Sequence, residues 1–119
     1  MIDRLLPQLV AGRDPVSEVL RDQLRNATIG GIELSGAGFF VDIDVPPDLP
    51  TVAPRNITGG SADIELAGVP HGAGCLLFVR EGRLSMLECY TYVGEWTEDT
   101  EVLSVKDIVP IRPTASEST

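Results

Sequence analysis

Side chains suited to chemistry are concentrated in one hairpin-like stretch of the sequence, residues 72–96. Glu88 lies there in an otherwise apolar run and, by strand alternation, shares a face with Tyr90. A carboxylate in such surroundings must find hydrogen-bond donors, stay protonated or reach a cleft. Glu88 is therefore the best single candidate for a functional residue. The alternatives are a carboxylate that reaches solvent or one that pairs with Arg80 or Arg83.

Four further residues near Glu88 are candidates for binding. His71 is the only histidine and lies in a glycine-rich loop just before the hairpin. It could act as a general base or a metal ligand, or it could simply be solvated. Tyr90, Tyr92 and Trp96 form an aromatic cluster that either lines a recognition surface or covers the core. The candidate binding residues are thus His71, Glu88, Tyr90, Tyr92 and Trp96.

Known catalytic signatures do not occur in the sequence. It contains no GxSxG, no phosphate-binding loop with its lysine, no HExxH, no CxxC and no glycine fingerprint after a strand. One histidine and two cysteines also do not make a zinc site, so neither a metal nor a cofactor is expected. No catalytic residue is assigned, and a binding protein is favoured over an enzyme.

The composition predicts one α+β domain. The 119 residues fit a single domain with one hydrophobic core. Helix formers are concentrated in the first quarter, whereas glycine, proline and β-branched residues dominate the rest, which predicts an N-terminal helix followed by a sheet. We predict a domain over residues 1–113 and a disordered polar tail over residues 114–119.

The net charge of −9, from 18 acidic and 9 basic residues, restricts the partners. An anionic surface repels nucleic acids and anionic membranes, and it attracts a protein partner with a basic surface. The N-terminus has no signal-peptide pattern, and the longest apolar run is too short to span a bilayer. We therefore expect a cytoplasmic monomer or homodimer that binds no nucleic acid and no membrane.

Periodicity and turn signals predict the individual elements. An amphipathic helix is expected over residues 15–26, because Asp14 can cap it and Pro15 fits its first position. Pro7 makes the preceding apolar segment either a short turn or a kinked helix. Short glycine turns favour a mostly antiparallel, meander-like sheet of about five to six strands against the helix. Strands outside the hairpin are expected over residues 29–34, 39–45, 57–67 and 102–111. The predicted core comprises Val19, Leu20, Leu24, Val41, Ile43, Ile64, Leu66, Leu77, Phe78, Met86 and Leu87.

The turn of the hairpin decides how its two cysteines are placed. A three-residue loop over residues 81–83 would put Cys75 opposite Cys89, whereas a two-residue loop would put Cys75 opposite Glu88. Gly82 permits either turn. In both cases we expect two buried free thiols that pack as small apolar groups in a reducing compartment.

The hairpin also resembles a known pattern. Residues 72–79 and 82–92 are similar to a hairpin of the form GFxLFVxxGxLSMLEG(Y/F)TY, found in a family of small uncharacterised bacterial proteins and followed there by an acidic segment and a tryptophan. This chain departs from the pattern at Cys75, which replaces an aromatic residue, at Cys89, which replaces glycine, and at Thr97, which replaces a common proline. The resemblance implies a domain type and no activity.

Two functions compete at this point. The first is a non-enzymatic protein-interaction module, for example an immunity-type protein or another acidic partner of a basic protein. It requires a contiguous acidic or aromatic surface. The alternative is a small-molecule or enzymatic pocket between helix and sheet that uses Glu88, Tyr90 and His71. It requires Glu88 and His71 to converge.

Overall fold

The computed structural model describes residues 1–97 and 99–112. Two helices, α1 (Ile2–Leu9) and α2 (Pro15–Asn26), precede a six-stranded sheet within these residues. The strands are β1 (Thr28–Leu34), β2 (Gly38–Asp44), β3 (Ile57–Leu66), β4 (Ala73–Arg80), β5 (Arg83–Thr91) and β6 (Val102–Val109). The predicted α+β class, with an N-terminal helix and an antiparallel, meander-like sheet, is confirmed. The tail over residues 114–119 lies outside the described residues, and the boundary at residue 113 stays a prediction.

The sheet has the order β1-β2-β5-β4-β3-β6, and every neighbouring pair is antiparallel. Strands β3, β4 and β5 form a meander, but β2 pairs with β5 rather than with β3. The connection from β2 to β3 therefore crosses one end of the sheet. It contains four prolines, Pro46, Pro47, Pro50 and Pro54, and proline cannot donate the ladder hydrogen bond that a central strand needs.

Helix α2 begins where the sequence predicts. Asp14 accepts a hydrogen bond from the Ser17 backbone N–H at 3.0 Å, and Pro15 occupies the first turn. The buried face differs from the prediction, because Ser17, Leu20 and Gln23 are the buried residues of α2. The other two predicted core residues of α2, Val19 and Leu24, are only partly buried against the core. A buried glutamine shifts the face away from the apolar stripe. Helix α1 runs through Pro7 and buries Leu5, Leu6 and Leu9.

Both helices pack on one face of the sheet, and the core lies between the helices and this face. Two predicted core residues, Phe78 and Met86, are on the opposite face, where they are half-buried. The reason is strand alternation, since their neighbours Leu77 and Leu87 point into the core. Strand β5 is apolar on both faces, as a central strand should be, and it is third in the sheet order.

Candidate functional site

The hairpin register comes from a turn and a bulge acting together. Glu81 and Gly82 both have positive φ, 55° and 79°, which is a two-residue turn of the type that matches strand twist. A bulge then makes Val79 pair with Leu84 and Phe78 pair with Met86, so Ser85 is the extra residue. The shift puts Cys75 opposite Cys89. The loop is thus the shorter of the two predicted, yet the cysteine pairing is the one predicted for the longer loop.

The two cysteines are buried, free and in contact. Their Sγ atoms are 2.7 Å apart, and both residues are about 1% exposed. The hydrogen bond with Cys75, burial, and the charges of Cys75 and Glu88 all raise the pKa of the Cys89 thiol. Cys89 is therefore held as a thiol in the folded chain, which makes it a poor nucleophile.

Glu88 lies on the face of the sheet opposite to the helices. Its cross-strand neighbours are Phe40 of β2 and Leu76 of β4, and it is half-buried between them. The two arginines considered as its partners bond elsewhere: Arg80 donates to the Val79 carbonyl at 2.8 Å, and Arg83 donates to the Pro47 carbonyl at 3.0 Å. Glu88 is thus a carboxylate on an uncovered sheet face.

One end of the sheet face that holds Glu88 also holds Tyr90, Tyr92 and His71. The two tyrosine rings meet edge to face with centroids 5.7 Å apart, and the Tyr92 hydroxyl donates to Asp63 at 3.4 Å. Gly74 makes room for them, since a Cβ there would lie 2.7 Å from the Tyr92 oxygen. Partial burial, then the charges of Tyr90 and Asp63, raise the pKa of Tyr92. Tyr92 and His71 line one polar cleft of about 470 Å³.

Trp96 is separated from the two tyrosines by the sheet. Its ring stands edge-on to Phe39, with centroids 4.8 Å apart, and it is 6% exposed. Phe39 points into the core, so Trp96 covers the core on the helix side. The predicted aromatic cluster is therefore divided between two faces: Trp96 covers the core, and the recognition role of Tyr90 and Tyr92 stays a prediction.

The pocket considered between helix and sheet is not formed by the residues named for it. Glu88 points away from the helices, and His71 lies in the loop before β4 at the polar cleft. The cleft that does lie between helix and sheet has other walls. Among the described residues, the groups that line it include neither Glu88 nor His71.

This second cleft, which we name the β1 cleft, is apolar and has a volume of about 730 Å³. It lies between the first turns of α1, the strand β1, the Trp96 segment and the beginning of β6. The sheet is therefore curled enough for both of its edge strands to reach one opening. The residues that line it are Met1, Ile2, Asp3, Leu6, Ile29, Gly30, Ile32, Leu34, Phe39, Trp96, Thr97 and Val102.

Strand β1 is the unusual wall of this cleft. Every residue of β1 is exposed, including Ile29 at 41%, Ile32 at 57% and Leu34 at 43%. These three side chains pair across to Ile43, Val41 and Phe39, which are buried on the helix side of the sheet. The apolar face of β1 thus continues the core beyond the cover that the helices provide. Since β1 ends the sheet, its outer edge pairs with no other strand of the described chain.

Two stretches of sequence that border the β1 cleft contain carboxylates and no basic side chain, and the Met1 ammonium, which also lines the cleft, is paired with Asp3 at 3.3 Å. Residues 26–54 contain four carboxylates and no lysine or arginine, and residues 84–105 contain five carboxylates and no lysine or arginine. These two stretches include β1, β2, Trp96 and most of β5. Sequence reasoning predicted the strand at 29–34 but not this site, because Gly30-Gly31 makes β1 look weak and its exposure is not a local property. The sequence signal that could have indicated this site is the absence of lysine and arginine from these two stretches.

The described residues offer neither a metal site nor a membrane-spanning helix. They hold no cluster of three or more histidine, cysteine or carboxylate groups able to bind a metal ion. None of their helices combines the length and the apolar character needed to cross a bilayer.

Comparison of the chain with protein-family models, curated proteins and solved structures gave no match. The bacterial family suggested by the hairpin pattern therefore stays a prediction.

Proposed function

We propose that this protein is a non-enzymatic interaction module that binds a basic protein partner along the edge of β1. One observation carries the proposal: an edge strand exposed over its whole length presents three apolar side chains, Ile29, Ile32 and Leu34, to an open cleft. Exposed apolar edges are ordinarily avoided because they invite pairing with another chain. Their presence here favours a surface meant to be covered.

The partner would bind as an extended segment added to the sheet. Main-chain hydrogen bonds to the free edge would supply affinity, and alternate side chains would supply specificity. On the helix side those side chains would enter the β1 cleft, so they must be apolar. On the other side they would meet Glu33, which pairs with Phe40 on the face of Glu88, and should therefore be basic. The expected segment alternates apolar residues with lysine or arginine.

Charge also argues against a second copy of this chain as the occupant. Two copies of net charge −9 would bring Glu33 and the acidic surroundings of β1 together, and like charges across an interface oppose association. A basic segment would gain from the same field. We place this interaction in the cytoplasm, where free cysteines such as Cys75 and Cys89 stay reduced.

A small apolar molecule is the second candidate occupant. The volume of the β1 cleft, about 730 Å³, falls within the roughly 300–1,000 Å³ typical of small-molecule sites. This version keeps a pocket between helix and sheet but uses Trp96, Phe39 and Leu6 rather than Glu88, Tyr90 and His71. It makes no use of the acidic surroundings, which is why we favour the basic segment.

A pair of matched variants tests the proposal. The probe is a fluorescent eight-residue peptide that alternates valine and lysine, and binding is followed by fluorescence anisotropy. Ile32→Glu and Val109→Glu each replace an exposed aliphatic side chain on an edge strand, at opposite edges of the sheet. Both reach the same net charge. We expect wild type and Val109→Glu to bind equally, and Ile32→Glu to bind about tenfold more weakly, since an apolar contact is lost.

The remaining arms separate the alternatives. A valine–glutamate peptide of equal length should not bind, and added salt should weaken the valine–lysine complex. Equal binding of the valine–lysine peptide by Ile32→Glu and Val109→Glu would show that the peptide is attracted by the net charge and does not bind at β1. Uptake of a neutral apolar dye by wild type, lost in Ile32→Glu and not displaced by the peptide, would instead support the small-molecule function.

A further inference from the structure

The geometry points to Cys75 and Cys89 as a reversible dithiol–disulfide pair that joins the two central strands of the sheet. The two residues are directly opposite each other on β4 and β5, the third and fourth strands in the sheet order. Their Sγ atoms are 2.7 Å apart, and a disulfide bond is about 2.05 Å long. Closing the bond therefore needs an approach of less than about 1 Å.

The backbone is already placed for this bond. Residues directly opposite in antiparallel strands have Cα atoms about 4.5–5.5 Å apart, and a disulfide accepts about 4.4–6.8 Å. No strand has to slide or separate. Cys75 and Cys89 are also the only two cysteines of the chain, so one intramolecular bond is the single disulfide that a monomer can form.

The burial of both cysteines determines which oxidants can reach their sulfur atoms. Both cysteines are about 1% exposed, so a bulky disulfide cannot reach either sulfur without local opening, whereas hydrogen peroxide is about the size of two water molecules. The raised pKa of Cys89 keeps the thiolate fraction low, and the thiolate is the reactive form. The pair should therefore oxidise slowly, and the contact between the two sulfurs favours the internal bond over further oxidation of either one.

The reaction balances with peroxide as the oxidant. One thiolate attacks a peroxide oxygen, the O–O bond breaks, and a sulfenic acid and hydroxide form. The second sulfur attacks the sulfenic sulfur, so that the S–S bond forms and the S–OH bond breaks. The two thiol protons end in two water molecules. Both sulfurs are oxidised, both peroxide oxygens are reduced, and an excess of a small dithiol reverses the bond by exchange.

The test uses the full wild-type chain. Native protein is treated with hydrogen peroxide, quenched with catalase, unfolded in guanidinium, alkylated with iodoacetamide and weighed intact. We expect the monomer to lose about 2 Da, the mass of two hydrogens, and to take up no alkyl group. Dithiothreitol should restore two alkylation sites. The oxidised chain should melt at a higher temperature, because the bond restricts only the unfolded state.

Several outcomes would overturn the assignment. One is that both cysteines can still be alkylated after peroxide treatment, and another is that sulfinic acids or covalent dimers are the main products. The others are a disulfide that forms only in guanidinium and a lower melting temperature after oxidation. Cys75→Ser and Cys89→Ser are the controls, since one thiol cannot close the bond and neither should show the 2 Da loss expected of the pair, about two hydrogens. Because both sites are buried, the native-versus-unfolded comparison on wild type decides the matter even where a variant fails to fold.

Discussion

At the scale of single residues, Gln23 is the polar group that the core is built around. Its side chain is fully buried, donates to the Pro50 carbonyl at 2.9 Å and to the Gly82 carbonyl at 3.0 Å, and accepts from the Leu84 N–H at 2.9 Å. One amide thus ties α2 to the proline-rich crossing and to the hairpin turn. A buried amide with all of these bonds satisfied fixes a unique arrangement of three segments.

Replacing Gln23 should therefore be costly even when its volume is kept. Gln23→Leu fills the same space but leaves the buried Leu84 N–H and the Pro50 carbonyl without this partner. We expect a loss of about 2–3 kcal/mol in the free energy of unfolding, measured by urea titration. Gln8→Leu is the matched control, since Gln8 is exposed and makes one local hydrogen bond to Arg4, and it should change stability by less than about 0.5 kcal/mol. A Gln23→Leu chain as stable as wild type would show that these bonds contribute nothing net.

At the scale of elements, the first turn of α2 shows how a local signal becomes a measurable energy. Asp14 accepts from the Ser17 N–H at 3.0 Å and from the Ser17 hydroxyl at 2.8 Å. Burial acts to raise the pKa of Asp14, but these hydrogen bonds outweigh it, so its pKa lies below the ordinary value of 3.8. The charged carboxylate is therefore the form that stabilises the folded chain.

The pH dependence follows from that direction. Because the folded-state pKa is lowered, the contribution of Asp14 is fully present above 3.8 and is lost as the pH falls through the lower folded-state value. Asp14→Ala should cost about 1 kcal/mol near neutral pH. The gap to wild type should narrow in acid, as followed by urea titrations at several pH values.

Asp14→Asn is the control for this prediction. Asparagine caps a helix nearly as well as aspartate but does not titrate. The difference in the free energy of unfolding between Asp14→Asn and Asp14→Ala should therefore stay constant with pH. A gap between wild type and Asp14→Ala that widens on acidification would contradict the sign of the pKa shift.

At the scale of the whole molecule, charge opposes the compact state. The chain holds a net charge of −9 within a radius of gyration of 14.2 Å. In dilute salt the Debye length is about 30 Å, which exceeds that radius, so the carboxylates repel one another across the whole molecule. The same net charge would attract the basic partner that we propose.

Added salt should therefore stabilise the folded chain at neutral pH. Raising NaCl from about 0.01 M to about 1 M shortens the Debye length from about 30 Å to about 3 Å and should screen the repulsion. We expect the melting temperature at pH 7 to rise by about 3 °C, by circular dichroism. At the isoelectric pH of about 4.4, where the net charge vanishes, the rise should be much smaller. An equal rise at both pH values would point to salting-out rather than charge.

The sequence by itself determined the features that depend on neighbours along the chain. Asp14-Pro15 starts α2, the alternation around Val41 and Ile43 makes β2, and Glu81-Gly82 turns the hairpin, because caps, side-chain periods and turn conformations are local. The tertiary structure alone decided the rest. The pairing of β2 with β5, the register shift at Ser85, the burial of Gln23 and the exposure of β1 each depend on which distant segment lies alongside. Whether an apolar strand is core or binding surface is set by what covers it, and for β1 nothing within the described chain covers the cleft face fully.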